Sequence, residues 1–348
     1  MDALPEFQLL RPRTLGEALA ARAAHPESQL IGGGTDLLVN IRRGIAAPPT
    51  LVDMTGVSEL AQISADAHAL EIGASSTLVD VAAHPAVIAH HPVVAQAAHG
   101  VAGPTQRNMG TLGGNLCLDT RCIFYNQSSW WRAANNHCLK TTGDVCHVAP
   151  KSQGVCFATF SGDLAPALLV LGAEIELAGP AGRRTLALRD FYIGYARHDG
   201  ASGDGKNYLA LAPGEIVVAV RAKNPPGLRS GYDKIRIRRS IEYPVAGVAV
   251  ALRREGETLT DLRVAFTGTN PRPVLIEGTA GLCGGPLDER VLTGLDALVR
   301  DQIMAMKTTF TPGHYRRRVA GVLAWRLVAR LWAQGSEIGG QGSGGALA

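Results

Sequence analysis

Five of the six cysteines in this 348-residue chain fall between Cys117 and Cys156, and only Cys283 lies elsewhere. Their spacing is Cys117-x4-Cys122-x15-Cys138-x7-Cys146-x9-Cys156, on a stretch rich in Asn, Ser, Thr and Gly. Three chemistries compete for such a set: buried free thiols, a zinc site and an iron–sulfur cluster. The pair of short knuckles usual in structural zinc sites is absent, and so is the closely spaced ferredoxin run. His137 and His147 stand beside cysteines, where they are either surface residues or nitrogen ligands replacing a thiolate on zinc. Four thiolates on a long loop can wrap a cubane cluster, because the cluster itself organises the loop. Phe124, Tyr125, Trp130 and Trp131 would then keep water from it. Cys117 directly follows Leu116 and the turn Gly113-Gly114-Asn115, so the turn fixes its position and sets it apart. The favoured reading is a cluster held by Cys122, Cys138, Cys146 and Cys156.

Two glycine turns suggest a second chemistry. The apolar strand Gln29-Leu30-Ile31 runs into Gly32-Gly33-Gly34-Thr35-Asp36. Successive glycines let the backbone turn sharply and aim N–H groups at an anion, and the Thr35 hydroxyl adds a donor. The pattern is not G-x-G-x-x-G, because Leu37 takes the place of the third glycine, and it lacks the P-loop ending. A two-layer nicotinamide fold is therefore unsupported. Thr111-Leu112-Gly113-Gly114-Asn115 is a second such turn, and each is expected at the end of a strand. Either alone is more often only a turn. Together they can clamp one extended dinucleotide from both sides.

The elements that must position these residues read as α+β. Thr14 and Glu17 form a capping box opening a helix over 14–24. A helix is expected to begin at Leu37, with a strand near Leu51–Asp53, helices over 77–83 and 85–99, and strands at 173–177 and 215–221. Pro225-Pro226-Gly227 marks a boundary, beyond which Val245–Leu252 and Leu262–Gly268 read as strands. A closing helix over 315–333 carries Val319, Leu323, Leu327 and Leu331 on one face.

A net charge of +4, with basic and acidic residues interspersed, gives no reason to expect a nucleic-acid partner. Arg236, Arg238 and Arg239, and the run Arg316–Arg318, read as solvated or partner-facing surface. No apolar run approaches the roughly 20 residues of a membrane helix, and Met1–Pro5 lacks the start of a signal peptide. The expected location is cytoplasmic, where a disulfide framework is not expected.

Taken in order, Ile31-Gly-Gly-Gly-Thr-Asp-Leu37, Thr111-Leu-Gly-Gly-Asn115 and Asp163-Leu-Ala-Pro166 resemble the flavoprotein subunits of the molybdenum hydroxylases, the xanthine dehydrogenase and carbon monoxide dehydrogenase family. The resemblance implies a two-part FAD-binding domain of the PCMH type over 1–226, with parts at about 1–57 and 58–226. A smaller C-terminal α+β domain, an antiparallel sheet plus helices, would follow over 227–335, with a disordered tail over 336–348. It also implies that Ile31, Gly32, Gly33, Gly34, Thr35, Asp36, Thr111, Gly113, Gly114 and Asn115 hold the FAD pyrophosphate. Asp163 would contact the adenosine part, and Lys234 would lie near the flavin or its phosphates.

The stretch 116–157 departs from the ordinary family pattern as an insertion. Within the family it is similar to the β subunit of 4-hydroxybenzoyl-CoA reductase, whose extra loop carries a [4Fe–4S] cluster. Cys117-Leu-Asp-Thr-Arg-Cys122, Phe124-Tyr-Asn-Gln-Ser128 and Trp130-Trp131-Arg132 carry that likeness, and the ligands fall on Cys122, Cys138, Cys146 and Cys156. By resemblance, electrons pass from a low-potential, ferredoxin-like donor through the extra cluster to FAD. They continue to [2Fe–2S] centres in a small partner subunit and to the molybdenum cofactor in a large one, in a dimer of heterotrimers. This chain would hold no catalytic residue of its own. The alternatives are a molybdenum hydroxylase subunit with outward electron flow, a self-sufficient flavin oxidase, and a zinc-stabilised scaffold without flavin.

Overall fold

The computed structural model describes residues 4–193, 204–238 and 240–334. The N-terminal part is a parallel sheet of β1 (Gln8–Leu10), β2 (Gln29–Ile31) and β3 (Thr50–Asp53) in the order β1-β3-β2. Helices α1 (Leu15–Ala24) and α2 (Leu37–Arg42) make the crossovers. Thr14 caps α1, its Oγ1 accepting the N–H of Glu17 at 3.1 Å. The return arm of the expected capping box lands one residue early, the Glu17 carboxylate accepting the N–H of Arg13 at 2.6 Å.

The second part is an antiparallel sheet of β4 (Ile63–Ala65), β5 (Ala69–Gly73), β6 (Glu174–Gly179), β7 (Gly182–Ala187) and β8 (Ile216–Lys223), in the order β4-β5-β8-β6-β7. Between β5 and β6 run α3 (Leu78–Ala83), α4 (Pro85–His90), α5 (Pro92–Gly100), α6 (Pro104–Arg107), α7 (Leu112–Leu116), α8 (Ser129–Ala134) and α9 (Leu164–Val170); α10 (Leu188–Phe191) follows β7. The single helix expected over 85–99 is two, because Pro92 disfavours the helical region at His91, which turns out to φ −132°. Nor does the second glycine turn end a strand: Thr111 is the N-cap of α7, its Oγ1 accepting the N–H of Gly114 at 3.1 Å.

The C-terminal part is the antiparallel sheet of β9 (Arg229–Ile235), β10 (Ala246–Glu255), β11 (Thr258–Thr267) and β12 (Val274–Leu275), backed by α11 (Glu289–Gln302) and α12 (Gly313–Ala333). From Ala246 to Leu252 β10 is buried on both faces, and its alternation is one of size rather than polarity. Val248, Val250 and Leu252 pack with α11 and α12, whereas Ala249 and Ala251 face the core of the second part, where α9 lies against the sheet. Small side chains on that face let the helix approach, and the sheet is shared by both domains.

Two readings of the C-terminal region change. The stripe of α12 is Ala320, Ala324, Leu327, Val328 and Leu331, with Val319 and Leu323 only partly buried. A strict spacing of four drifts around a helix of 3.6 residues per turn, so the first two residues leave the face. The arginine run is not all surface, since Arg316 is wholly buried. Its guanidinium donates to the carbonyls of Val245 (3.2 Å), Met306 (3.0 Å) and Gly268, and to Thr308 Oγ1 at 2.9 Å. Arg317 bonds the carbonyls of Ile303 and Met304, and Arg238 pairs with Glu242 at the surface. Arg239 and the tail lie outside the described residues. Arg316→Met would strand several buried acceptors at about 1–3 kcal/mol each, so urea unfolding is expected to show a loss of at least about 3 kcal/mol. An unchanged midpoint would contradict this account. Among the described residues no helix is long and apolar enough to cross a membrane.

Candidate functional site

The two glycine turns meet. A Cβ on Gly32 would fall 2.7 Å from Thr111 Oγ1, and one on Gly33 would fall 1.7 Å from the carbonyl oxygen of Met109. Gly34 sits at φ +71°, in the left-handed region that only glycine adopts without cost. The turn after β2 therefore lies directly on the segment leading into α7. Among the described residues, none of the N–H groups of Gly33, Gly34, Thr35 and Asp36 is hydrogen-bonded to another backbone group. Such donors, lining a cavity, suit a phosphate-bearing ligand.

That cavity has a volume of about 1060 Å³, room for a dinucleotide. Ile31, Gly32, Gly33, Gly34, Thr35, Asp36, Thr111, Gly113, Gly114, Asn115 and Asp163 all line it. Asn115 Oδ1 accepts the N–H of Leu164 at 3.0 Å, fixing the start of α9 beside α7. Asp163 is buried, and its Oδ1 accepts from Lys234 Nζ at 2.9 Å and from the Tyr232 hydroxyl. Burial, then the Asp163 charge, pushes Tyr232 well above the ordinary phenol range, so it stays a donor. Lys234 is not on the cavity wall and reaches it only through Asp163.

Other wall residues carried no sequence signal. The Tyr243 hydroxyl donates to Asp36 Oδ1 at 3.1 Å across 207 residues of chain. Ala102 (φ 41°) and Ile241 (φ 53°) both line the cavity in the left-handed region, joined by a bond from the N–H of Ile241 to the Ala102 carbonyl. Non-glycine backbone held there stores strain, a habit of ligand-binding walls.

Cys122, Cys138, Cys146 and Cys156 are all buried and line a second, small cavity. Cys117 lines the large cavity instead, its N–H bonded to the Gly113 carbonyl at 2.9 Å, and burial pushes its thiol up to about 12. Backbone N–H groups point at three of the four sulfurs, Tyr125 at Cys122 (3.3 Å), Ala158 at Cys156 (3.4 Å), and Phe157, Ala149 and Val148 at Cys146. Cys122 is pushed up to about 11 by burial. Cys146 is drawn down to about 5, chiefly by its hydrogen bond with Cys156, which is pushed up in turn by that bond and by burial. Among the described residues no three His, Cys, Asp or Glu side chains gather closely enough to ligate one metal ion. His147 lines the cavity, but its Nε2 is 2.5 Å from the His137 carbonyl. Phe124 and Tyr125 form part of the wall, with Trp131 against Phe124 at 6.3 Å between ring centroids. Trp130 does not shield the site, being 77% exposed.

The C-terminal domain packs behind this site without lining the cavity. Met304 and Met306 pack against Cys146, Val155 and Phe157. The N–H of Ile123 donates to the Thr308 carbonyl at 2.9 Å, and the Thr159 and Thr308 hydroxyls are 2.7 Å apart.

Residues 5–222 match the family model of the FAD binding domain in molybdopterin dehydrogenase, and residues 231–331 match that of the CO dehydrogenase flavoprotein C-terminal domain. The aldehyde oxidoreductase FAD-binding subunit of Escherichia coli is 30% identical over 91% of this chain and 97% of its own length. The carbon monoxide dehydrogenase medium chain of Afipia carboxidovorans is 27% identical over 94% and 97% respectively. In a crystal structure of Cu,Mo-CO dehydrogenase the fold recurs with a TM-score of 0.76 and 25% identity, covering 95% of this chain and 99% of that one. With two glycine turns meeting on a dinucleotide-sized cavity, and both domains matched along their length, the chain belongs to the family of FAD-binding subunits of the molybdenum hydroxylases.

Proposed function

We propose that this chain is the electron-entry subunit of a molybdenum enzyme of the 4-hydroxybenzoyl-CoA reductase type, carrying FAD in the large cavity and a [4Fe–4S] cluster in the small one. The observation that carries the proposal is the convergence of Cys122, Cys138, Cys146 and Cys156, out of six cysteines, on one buried cavity that shares Tyr125 and Lys140 with the flavin cavity. Four cysteine sulfurs are the donor set of a [4Fe–4S] cluster, and metal content separates it from a four-cysteine zinc site.

When bound, FAD supplies one- and two-electron exchange and the cluster one-electron exchange. The protein's part is positional. The free N–H groups of Gly33–Asp36 and the cap of α7 hold the pyrophosphate, Asp163 faces the nucleotide, and Lys234 with Tyr232 fixes the Asp163 carboxylate. The N–H bonds to Cys122 and Cys156 stabilise thiolate. Met304 and Met306 pack behind Cys146. In this reading the FAD-binding domain ends near residue 226, and the partners are a large molybdenum-binding subunit, a small [2Fe–2S] subunit and a ferredoxin-like donor.

Family membership removes the flavin-free scaffold. A second reading stays in play because relatives of similar identity include the nicotinate dehydrogenase FAD-subunit of Eubacterium barkeri, 26% identical. It makes this chain a subunit of an aromatic or heterocycle hydroxylase with outward electron flow. Metal and flavin content of the chain purified without oxygen separates the two. About one FAD and four irons per chain are expected. FAD without iron would leave the outward-flow reading, and zinc in place of iron would overturn the cluster.

A further inference from the structure

Tyr125 and Lys140 line both cavities, so they form the partition between the cysteine site and the flavin site. Lys140 is fixed there on several sides. Its side chain is 7% exposed, and its Nζ donates to Asp119 Oδ1 at 2.8 Å, to the Gly205 carbonyl at 2.6 Å and to Thr120 Oγ1. The same ammonium lies 5.5 Å from the ring centroid of Tyr125 and 5.4 Å from that of Tyr208. Arg121 lies over the Tyr125 ring at 4.9 Å, with its Nη1 3.4 Å from Asp119 Oδ2. Two cations and one carboxylate thus leave the wall with a net positive charge.

A fixed cation in a poorly screened wall attracts an electron arriving on either side of it, and so favours the reduced form of both neighbours. Burial also removes the freedom that makes an exposed lysine a weak electrostatic device. We propose that Lys140 is a potential-setting residue: its charge, held in the partition by Asp119, Thr120 and Gly205, raises the reduction potentials of the flavin and the cluster together. Moving both in one direction leaves the step between them little changed while making the pair easier to reduce. The inference rests on the assignment of FAD and a cluster to the two cavities.

The rival role for Lys140 is a structural peg tying the cysteine loop to Gly205. Sign separates the two. Spectroelectrochemical titration of the full complex is done on the wild type, Lys140→Met, Lys140→Arg and Asp119→Asn, with flavin and iron counted in each. In Lys140→Met the ratio of oxidised to reduced flavin and cluster at fixed ambient potential is expected to rise at least tenfold, which is about 59 mV for a one-electron couple. Asp119→Asn is expected to shift both ratios the opposite way, and Lys140→Arg to stay near the wild type. A peg would move Lys140→Met and Asp119→Asn in the same direction, or move neither potential, and either result overturns the proposal. Wild-type protein that binds FAD but no iron overturns the assignment of the small cavity and this inference with it. Full loading with unmoved potentials overturns the inference alone.

Discussion

Gly33→Ala is expected to yield a chain that no longer retains FAD. The added methyl would sit 1.7 Å from the Met109 carbonyl oxygen and 2.1 Å from its carbon. Both are backbone atoms, so nothing can swing aside, and relief comes only by parting the turn after β2 from the segment before α7. That parting spreads the donors that line the cavity. Overpacking costs about 1–3 kcal/mol, and here the upper end applies, enough to weaken binding roughly a hundredfold. Gly32→Ala is expected to do less, because its Cβ meets the Thr111 hydroxyl, a side-chain atom that can rotate. Flavin absorbance per chain after gel filtration reads the ranking. Stoichiometric FAD in Gly33→Ala would show that the junction of the two turns does not hold the cofactor.

The second large effect concerns the cysteines. If the proposed cluster is present, serine at Cys122, Cys138, Cys146 or Cys156 is expected to remove most of its about four irons per chain, since a cubane cluster lacking a thiolate is poorly held. Serine at Cys117 or Cys283 is expected to leave iron unchanged. Cys117 faces the flavin cavity, and Cys283 lies near the start of α11, bonded to the Thr279 carbonyl. Iron analysis with the visible spectrum decides it. Iron lost from Cys117→Ser and kept in Cys122→Ser would reassign the cavity.

What the sequence made legible was local. The cap at Thr14, the helix starting at Leu37 and the strand at Thr50–Asp53 each announce themselves within a few residues, and the structure has all three. The glycine turns could be found because glycine runs are rare inside regular elements. That the two turns meet was a guess from chemistry, since the closeness of Gly33 to Met109 leaves no periodic trace. The same holds for the bond between Tyr243 and Asp36 and for the Tyr232 hydroxyl on Asp163: each side chain looks ordinary where it stands. Arg316 misled for a physical reason. An arginine run reads as surface because a buried guanidinium needs several acceptors at once, and those acceptors are carbonyls from three separate segments. The break at His91 was legible in Pro92, and a proline inside an apolar run is the mark to weigh first.

The cover that the C-terminal domain lends to Cys146 and Thr159 bears on how the protein is made. Thr159 and Thr308 are 149 residues apart in the chain. At roughly 5–20 residues per second, a ribosome needs about 7–30 s to pass from one to the other. For that interval the nascent loop has its four thiols but lacks the Met304–Met306 cover and the Thr308 clasp. Translation itself therefore opens a period in which the four thiols stand without that cover, before the C-terminal domain packs against them.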